Sequence, residues 1–550
     1  MKASTAIFAG LSAQISEISR FSGIPGVSWG VIDNGSIIHQ ASHGFCDVEN
    51  KIPCNANSTF VLGSLSKAFT SALLSQLVED GKLQWNDPVR EILVDFQRTA
   101  SDLSAHATVA DLLSHRTGLS SSDSLWAGSD NVPLLNHSDS VKILSYLPQQ
   151  QAFRASFVYN NWAYDVLGHI IEKVSGSSYS SFLHDRLLGP LNMSSTYFTE
   201  GSAQAENEAK AYAALSDASP VRIGPAIEGD RVLMGPAGGV RSSVSDLLVF
   251  YDALMDAATD QTELGLQLNS TPRDRPFALS QLSEMWTGWN ILPMPLLREH
   301  SYGFGWLRAQ LPSVMAPSRG IPEFSPLVGV GVPSLLAIWH SGSIPGYRTH
   351  ATLFPETRQA IVVLTNSAPL NDGTRLISDL LIEALLGNLD NAADYVRIAR
   401  ITAAMGATRT EGIHKQLLDG RTRTDPSKPL DTYIGRYFNA VQVFFIDIFL
   451  RDNHLYLSFM GREKDTFELA PYGDDSFFWF LTHDEAARLA RDSGYGPEFY
   501  ILKFGATDVD SNSIDTLWWK HEPSLSGFGE VFRRDLDDQK TVTYEDNSEL

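Results

Sequence analysis

The chain has 550 residues, too many for one compact core, and its 43% apolar, 19% charged and 10% aromatic residues exclude a disordered or fibrous protein. Its 64 acidic against 42 basic residues leave a formal charge of -22, which repels phosphate backbones and anionic membranes, so neither nucleic acid nor a membrane is expected as a partner. Cys46 and Cys54 are the only cysteines, too few for a disulfide framework or a cysteine-rich zinc site, and no apolar run approaches the roughly 18 residues of a membrane helix.

The first predicted element is a helix from about Ser4 to Phe21. Its apolar stretch "ASTAIFAGLSA" is short and broken by Gly10 and Ser12, unlike a secretory signal, so a cytoplasmic protein is expected. "GVSWGVIDNGSIIHQASHGF" then reads as two strands joined by an Asn34-Gly35 turn, a strong hairpin signal. In "FVLGSLSKAFTSALLSQLVEDGK" the apolar residues Leu65, Ala68, Phe69, Ala72, Leu73 and Leu77 recur at helical spacing, which predicts a helix from Ser64 to Asp80 stopped by Gly81.

From Asp87 to about Tyr197 the pattern is mainly helical; from Thr199 to about Arg319 it is loop-rich, with one helix near Ser243 to Asp256 and insertion tips at "TPRDRP" and "LPMPLL". "LLAIWHSGSIPGYRTHATLFPETRQAIVVLTN" supplies three strands of a meander that can join the N-terminal hairpin in one antiparallel sheet. Sheet at both ends with helices between them predicts an α+β fold, an antiparallel sheet flanked by helices and an all-helical block. Helices near Thr374 to Leu386 and Ala392 to Leu418 precede the polar "DGRTRTDPSKP". Beyond it, short alternating runs predict a small all-β barrel or sandwich. The expected division is a catalytic domain over 1–388, a helical linker over 389–429, a β domain over 430–536 and a disordered acidic tail over 537–550.

Positions three apart on a helix lie about 60° apart around its axis, so Ser64 and Lys67 leave the same side of their helix. A serine hydroxyl is a weak nucleophile that a neighbouring base must activate, and a lysine serves when burial or positive charge lowers its pKa. Ser64 and Lys67 form the single S-x-x-K of the chain. Tyr159 and Asn161 form a Y-x-N ahead of a helix; a phenol whose pKa is pulled down by lysine charge can exchange protons with the serine, and the amide can hold that array or bind substrate. His340 and Gly342 form the single H-x-G, on a predicted strand whose backbone N–H groups can serve an oxyanion. The histidines show no H-E-x-x-H or comparable spacing, so no metal and no other cofactor is expected.

Together these elements resemble the serine β-lactamase-like superfamily, in the branch of class C β-lactamases, D-aminopeptidases and family VIII esterases. The resemblance covers about Ile24 to Asn366 and includes, in order, "FVLGSLSKAFTS", "LLSHRTGL", "YNNWAYDVLG", "GPAGGVRSSVSDLLVFY", "YGFGW" and "HSGSIPGY". It implies catalytic roles for Ser64, Lys67 and Tyr159 through an acyl-enzyme, and substrate binding by Asn161, His340, Gly342 and Ser343. The backbone N–H groups of Ser64 and Ser343 would form the oxyanion hole. The distal β domain resembles the lipocalin-like domain of some relatives.

One departure separates this chain from β-lactamases. Their third motif usually begins with a lysine that anchors the drug's carboxylate, whereas His340 is mostly neutral at pH 7. The apolar "WNILPMPLL" and "FSPLVGVGVPSLL" suit either an acyl chain or plain packing. The leading expectation is a serine hydrolase acting on an ester or amide of a small molecule, with specialised metabolites as one candidate class. The alternatives are an acyltransferase of the same superfamily and a catalytically inactive binding or regulatory protein.

Overall fold

The computed structural model of the chain describes residues 5–97, 102–198, 207–226, 229–266, 279–292, 298–315, 324–491, 494–507 and 513–535. The expected tip "TPRDRP", most of "LPMPLL" and the acidic tail 537–550 lie outside the described residues.

The N-terminal hairpin is β1 (Gly26–Asp33) and β2 (Ser36–Asp47), turned at Asn34 and Gly35, whose φ values are 51° and 69°. Both turn residues therefore adopt the left-handed conformation a two-residue hairpin turn requires. β3 is Ile52–Pro53; β4 (Asn290–Ile291), β5 (His300–Tyr302) and β6 (Leu307–Gln310) come from the loop-rich segment. The meander gives β7 (Leu336–Ile344), β8 (Tyr347–Phe354) and β9 (Gln359–Thr365). All nine form one sheet in the order β3-β2-β1-β9-β8-β7-β6-β5-β4, with β1 antiparallel to β9 from Val27↔Thr365 to Ile32↔Ala360. The N-terminal hairpin and the later meander thus join in one sheet, as the sequence predicts.

Because side chains alternate across a strand, the sheet has two apolar faces. Val27, Trp29 and Val31 of β1 pack with Ile361 and Val363 against Ile15 and Ile18 of the helix Ser12–Ser22 and Leu376 and Leu380 of the helix Gly373–Leu385. Ile32, Val362 and Leu364 face the other way, into the core shared by the helices Ser66–Glu79, Asn161–Ser175 and Val244–Gly265. Each fully buried residue of this size contributes about 1.5–3 kcal/mol, so both faces must be covered. Gly30 sits where Val244 and Leu248 press on the sheet: a Cβ there would lie 2.7 Å from both side chains.

Eight strands between Gly435 and Arg534 close into a barrel, confirming the C-terminal β domain. Its interior is filled rather than hollow, with Trp519 stacked on Phe459 at 4.8 Å and both rings buried. That is the expected outcome for a small eight-stranded barrel. The helix Tyr395–Gly420 precedes it and buries Ala399 and Ala403. "DGRTRTDPSKP" lies along the barrel: Thr422 N–H donates to Tyr472 O at 2.8 Å and Lys428 pairs with Asp475 at 2.9 Å.

Candidate active site

Ser64 occupies a 3-10 turn, Gly63–Leu65, immediately before the helix Ser66–Glu79. The α-helix begins two residues later than the apolar spacing suggests, because the chain must turn sharply off the strand Thr59–Val61. That strand pairs with Arg241–Ser243, and Leu62 N–H donates to Val240 O at 2.8 Å, so the run into Ser64 is fixed on one side. Gly63 has φ +55°, and a Cβ on it would lie 2.6 Å from Ser343 N. Only glycine therefore lets the Ser64 turn approach β7 so closely.

Lys67 is fully buried and holds three partners: Asn161 Oδ1 at 2.8 Å, Ala237 O at 2.9 Å and Ser64 Oγ at 3.1 Å. Two of the three are carbonyl oxygens, which can only accept. A neutral amine would donate its two N–H bonds to them and direct its lone pair at the Ser64 hydroxyl. Burial makes that state accessible near neutral pH: it lowers the Lys67 pKa to about 7, against the opposing pull of Asp123. Asn161 is oriented by Asp123, which accepts from its Nδ2 at 3.1 and 3.0 Å, while Trp126 Nε1 donates to the same carboxylate at 2.8 Å.

Tyr159 donates its hydroxyl to Ser64 Oγ at 2.8 Å. Its pKa does not fall, contrary to the expectation from lysine charge. Burial pushes it above the ordinary phenol value, and the bond to Ser64 opposes this without reversing it. Burial is the largest influence and Tyr164 and Asp123 act with it, so Tyr159 stays protonated.

β6 pairs with β7 only as far as Leu307↔Trp339, and β7 continues past this point to Ile344. Gly342 faces the Ser64 turn: a Cβ there would lie 1.9 Å from Leu62 O and 2.1 Å from Thr349 Oγ1, and Thr349 itself donates to Leu62 O at 2.6 Å. Ser343 follows, exposed, with its N–H beside Gly63. His340 is placed differently from the others. It is buried, its Nδ1 donates to Ser341 O at 2.7 Å, and Nε2 therefore accepts from Tyr302 OH at 3.1 Å. Burial, with Lys67 nearby, lowers its pKa to about 3, so the ring is neutral and both its nitrogens are engaged within the protein.

The sequence model of the family described as Beta-lactamase matches residues 12–386, and a second, described as a domain of unknown function (DUF3471), matches 420–525. The chain belongs to the Beta-lactamase family. It is 28% identical over 435 residues to "Unguisins hydrolase ungD" of Aspergillus violaceofuscus, covering 76% of this chain and 72% of that one. It is 26% identical over 371 residues to "Unguisins hydrolase ungD'" of Aspergillus campestris, covering 66% and 62%. The solved structure of an octameric penicillin-binding protein homologue from Pyrococcus abyssi superposes with a TM-score of 0.55 at 20% identity, over 96% of this chain and all of that one, a likeness of fold. Membership of the Beta-lactamase family supports serine-hydrolase-like activity.

In this Beta-lactamase family member a cavity of 380 Å³ opens over Ser64, Tyr159, Asn161 and Ser343. Its outer wall includes Ala487, Ala490, Tyr495 and Phe499, all from the connection between the barrel strands Ser476–Phe478 and Ile501–Gly505. The apolar lining comes from these residues and from Trp126, Leu233, Met234 and Ile344. "FSPLVGVGVPSLL" takes no part: Val328 packs on the opposite face of the sheet, with Leu311 and Leu376. Sequence reasoning missed Asp123, the Ala237 carbonyl and Tyr302. The last two lie in "GPAGG" and "YGFGW", which stood out as motif pieces without a role. Asp123 lies in a serine-rich loop that reads as polar surface.

Proposed function

We propose that the protein is a serine hydrolase that opens an ester or amide bond of a small, uncharged molecule through an acyl-enzyme on Ser64. The observation that carries this reading is the position of Lys67 Nζ, 3.1 Å from Ser64 Oγ: with two N–H bonds engaged by Asn161 Oδ1 and Ala237 O, the neutral amine can receive the proton of Ser64 Oγ. In the first step that proton moves to Lys67 Nζ as Oγ bonds the substrate carbonyl carbon. The resulting oxyanion is served by the N–H groups of Ser64 and Ser343, a contribution of about 3–4 kcal/mol per donor when both are in place. Tyr159, kept protonated by burial, donates toward the leaving group as the carbon–heteroatom bond breaks, and Lys67 restores the phenol proton. Water then repeats the sequence on the acyl-enzyme.

Three features bear on the substrate. The cavity has the volume of an ordinary small-molecule site. Its wall is more apolar than polar, and of the two arginines that line it, Arg348 donates to Ile344 O and Tyr347 O and Arg491 pairs with Asp465. The position where a fixed cation would meet a carboxylate holds His340, neutral and bonded inward. The relatives named unguisins hydrolases add support for hydrolysis as the outcome. The test is labelling and turnover: a fluorophosphonate should modify the wild type and not Ser64→Ala, and medium-chain aryl esters should exceed nitrocefin in kcat/KM by at least about 10². Ester turnover by Ser64→Ala above about a tenth of wild type would overturn the mechanism.

A further inference from the structure

The loop that carries Asp123 is held by the barrel. Glu522 lies in the connection between the barrel strands Thr516–Trp519 and Glu530–Arg534, four hundred residues along the chain from the loop. Its Oε2 accepts from Ser121 Oγ at 2.7 Å and from Ser122 N–H at 3.1 Å. On the other side of Asp123, Ser124 Oγ donates to the His521 carbonyl at 3.0 Å. Residues 521 and 522 thus bracket Asp123. Further along the same loop, Ser129 N–H donates to Asp465 at 2.8 Å, Arg462 donates to Val132 O at 2.8 Å and Asp130 pairs with Lys464.

Ser122 is itself unusual, a buried serine with φ 43°. A non-glycine residue keeps that conformation only when its surroundings impose it. Here the Glu522 carboxylate accepts its N–H, and Ser120 Oγ meets its hydroxyl at 2.8 Å. The left-handed turn aims the next side chain, Asp123, at Asn161, whose Oδ1 in turn holds Lys67 at 2.8 Å.

We propose that Glu522 is a positioning residue for the reaction, acting from the barrel through Ser121, Ser122, Asp123 and Asn161 to fix the Lys67 amine against Ser64. This rests on Lys67 acting as the base. It gives the barrel a place in the chemistry: the catalytic region folds around the nucleophile, and the barrel fixes the loop that orients the base.

The test uses the full-length chain and an aryl ester, with kcat and KM measured between about pH 5 and 9. Glu522→Ala should lower kcat about 10-fold with KM changed by less than about twofold, the pattern of a misplaced catalytic group rather than lost binding. Glu522→Gln should recover most of kcat, since an amide oxygen still accepts from Ser121 and Ser122. In an Asp123→Asn background, Glu522→Ala should cost less than about twofold more. Ser121→Ala, which leaves the barrel untouched, should lower kcat about threefold and lose that effect in the same background; it decides the matter if Glu522→Ala does not fold. A kcat within twofold of wild type in both Glu522→Ala and Ser121→Ala, or equal losses in the wild-type and Asp123→Asn backgrounds, overturns the proposal. Wild-type turnover that still requires Ser64 in that case leaves the serine mechanism standing.

Discussion

Lys67 is buried with a carbonyl on two of its sides, and this sets how activity should depend on pH. Its pKa of about 7 means that the amine is protonated, and unable to take the Ser64 proton, as the solution is acidified through that value. Ester kcat/KM should therefore rise with an acid limb near pH 7 and hold above it, until other groups titrate. In Asp123→Asn the limb should shift to lower pH, because the carboxylate that stabilises the ammonium is gone; a pH profile of both proteins checks the sign. Lys67→Ala should lower kcat by about 10² to 10⁴, the usual worth of a positioned acid–base group. At this scale S-x-x-K, Y-x-N and H-x-G were legible in the sequence, and the protonation states of the residues they hold were not. The spacing places a lysine beside a serine; only burial lowers the lysine's pKa to about 7 and keeps Tyr159 a phenol.

Among the elements, the contact between the Ser64 turn and β7 carries the most consequence. Gly63 and Gly342 permit it, one through a left-handed backbone and a Cβ-free approach to Ser343 N, the other through its approach to Leu62 O. Gly63→Ala should push Ser64 and Ser343 apart, spoil the pair of N–H donors and lower kcat by about 10² to 10³ while KM changes little. Steady-state kinetics on an aryl ester measure this, and a thermal melt confirms that the variant is folded. The hairpin, the meander and the helix after Ser64 were all legible, since apolar periodicity and the Asn34-Gly35 turn state them locally. The 3-10 turn was not, because it answers to the crowding of two distant segments. β4 to β6 were equally hidden: their strands run two to four residues, too short to show an alternation.

In the whole molecule the barrel is more than an appendage. It walls the cavity with Tyr495 and Phe499, stacked at 3.8 Å with their rings 9° apart, and it holds the Asp123 loop. Tyr495→Ala should remove apolar surface from the substrate wall and raise KM for a medium-chain ester about 10-fold, with a smaller change for an acetyl ester and little in kcat. A chain-length series on wild type and variant reads this directly. Among the described residues no helix is long and apolar enough to cross a membrane, in keeping with the absence of an apolar run in the sequence.

The sequence by itself determined the α+β architecture, the small β domain at the C-terminus and the motifs that hold Ser64, Lys67, Tyr159 and Asn161, because each is written in local spacing: a period of two, a period near four, or a motif a few residues long. The tertiary structure alone decided which of them face the cavity and in what chemical state. His340 turned inward to Tyr302 because burial in a strand left it two partners within the protein. Asp123 joined the site through Asn161, 38 positions along the chain, and the barrel joined the Asp123 loop through hydrogen bonds between residues hundreds of positions apart. Such contacts leave no periodic trace in a single chain, since either partner alone reads as an ordinary polar residue in a loop.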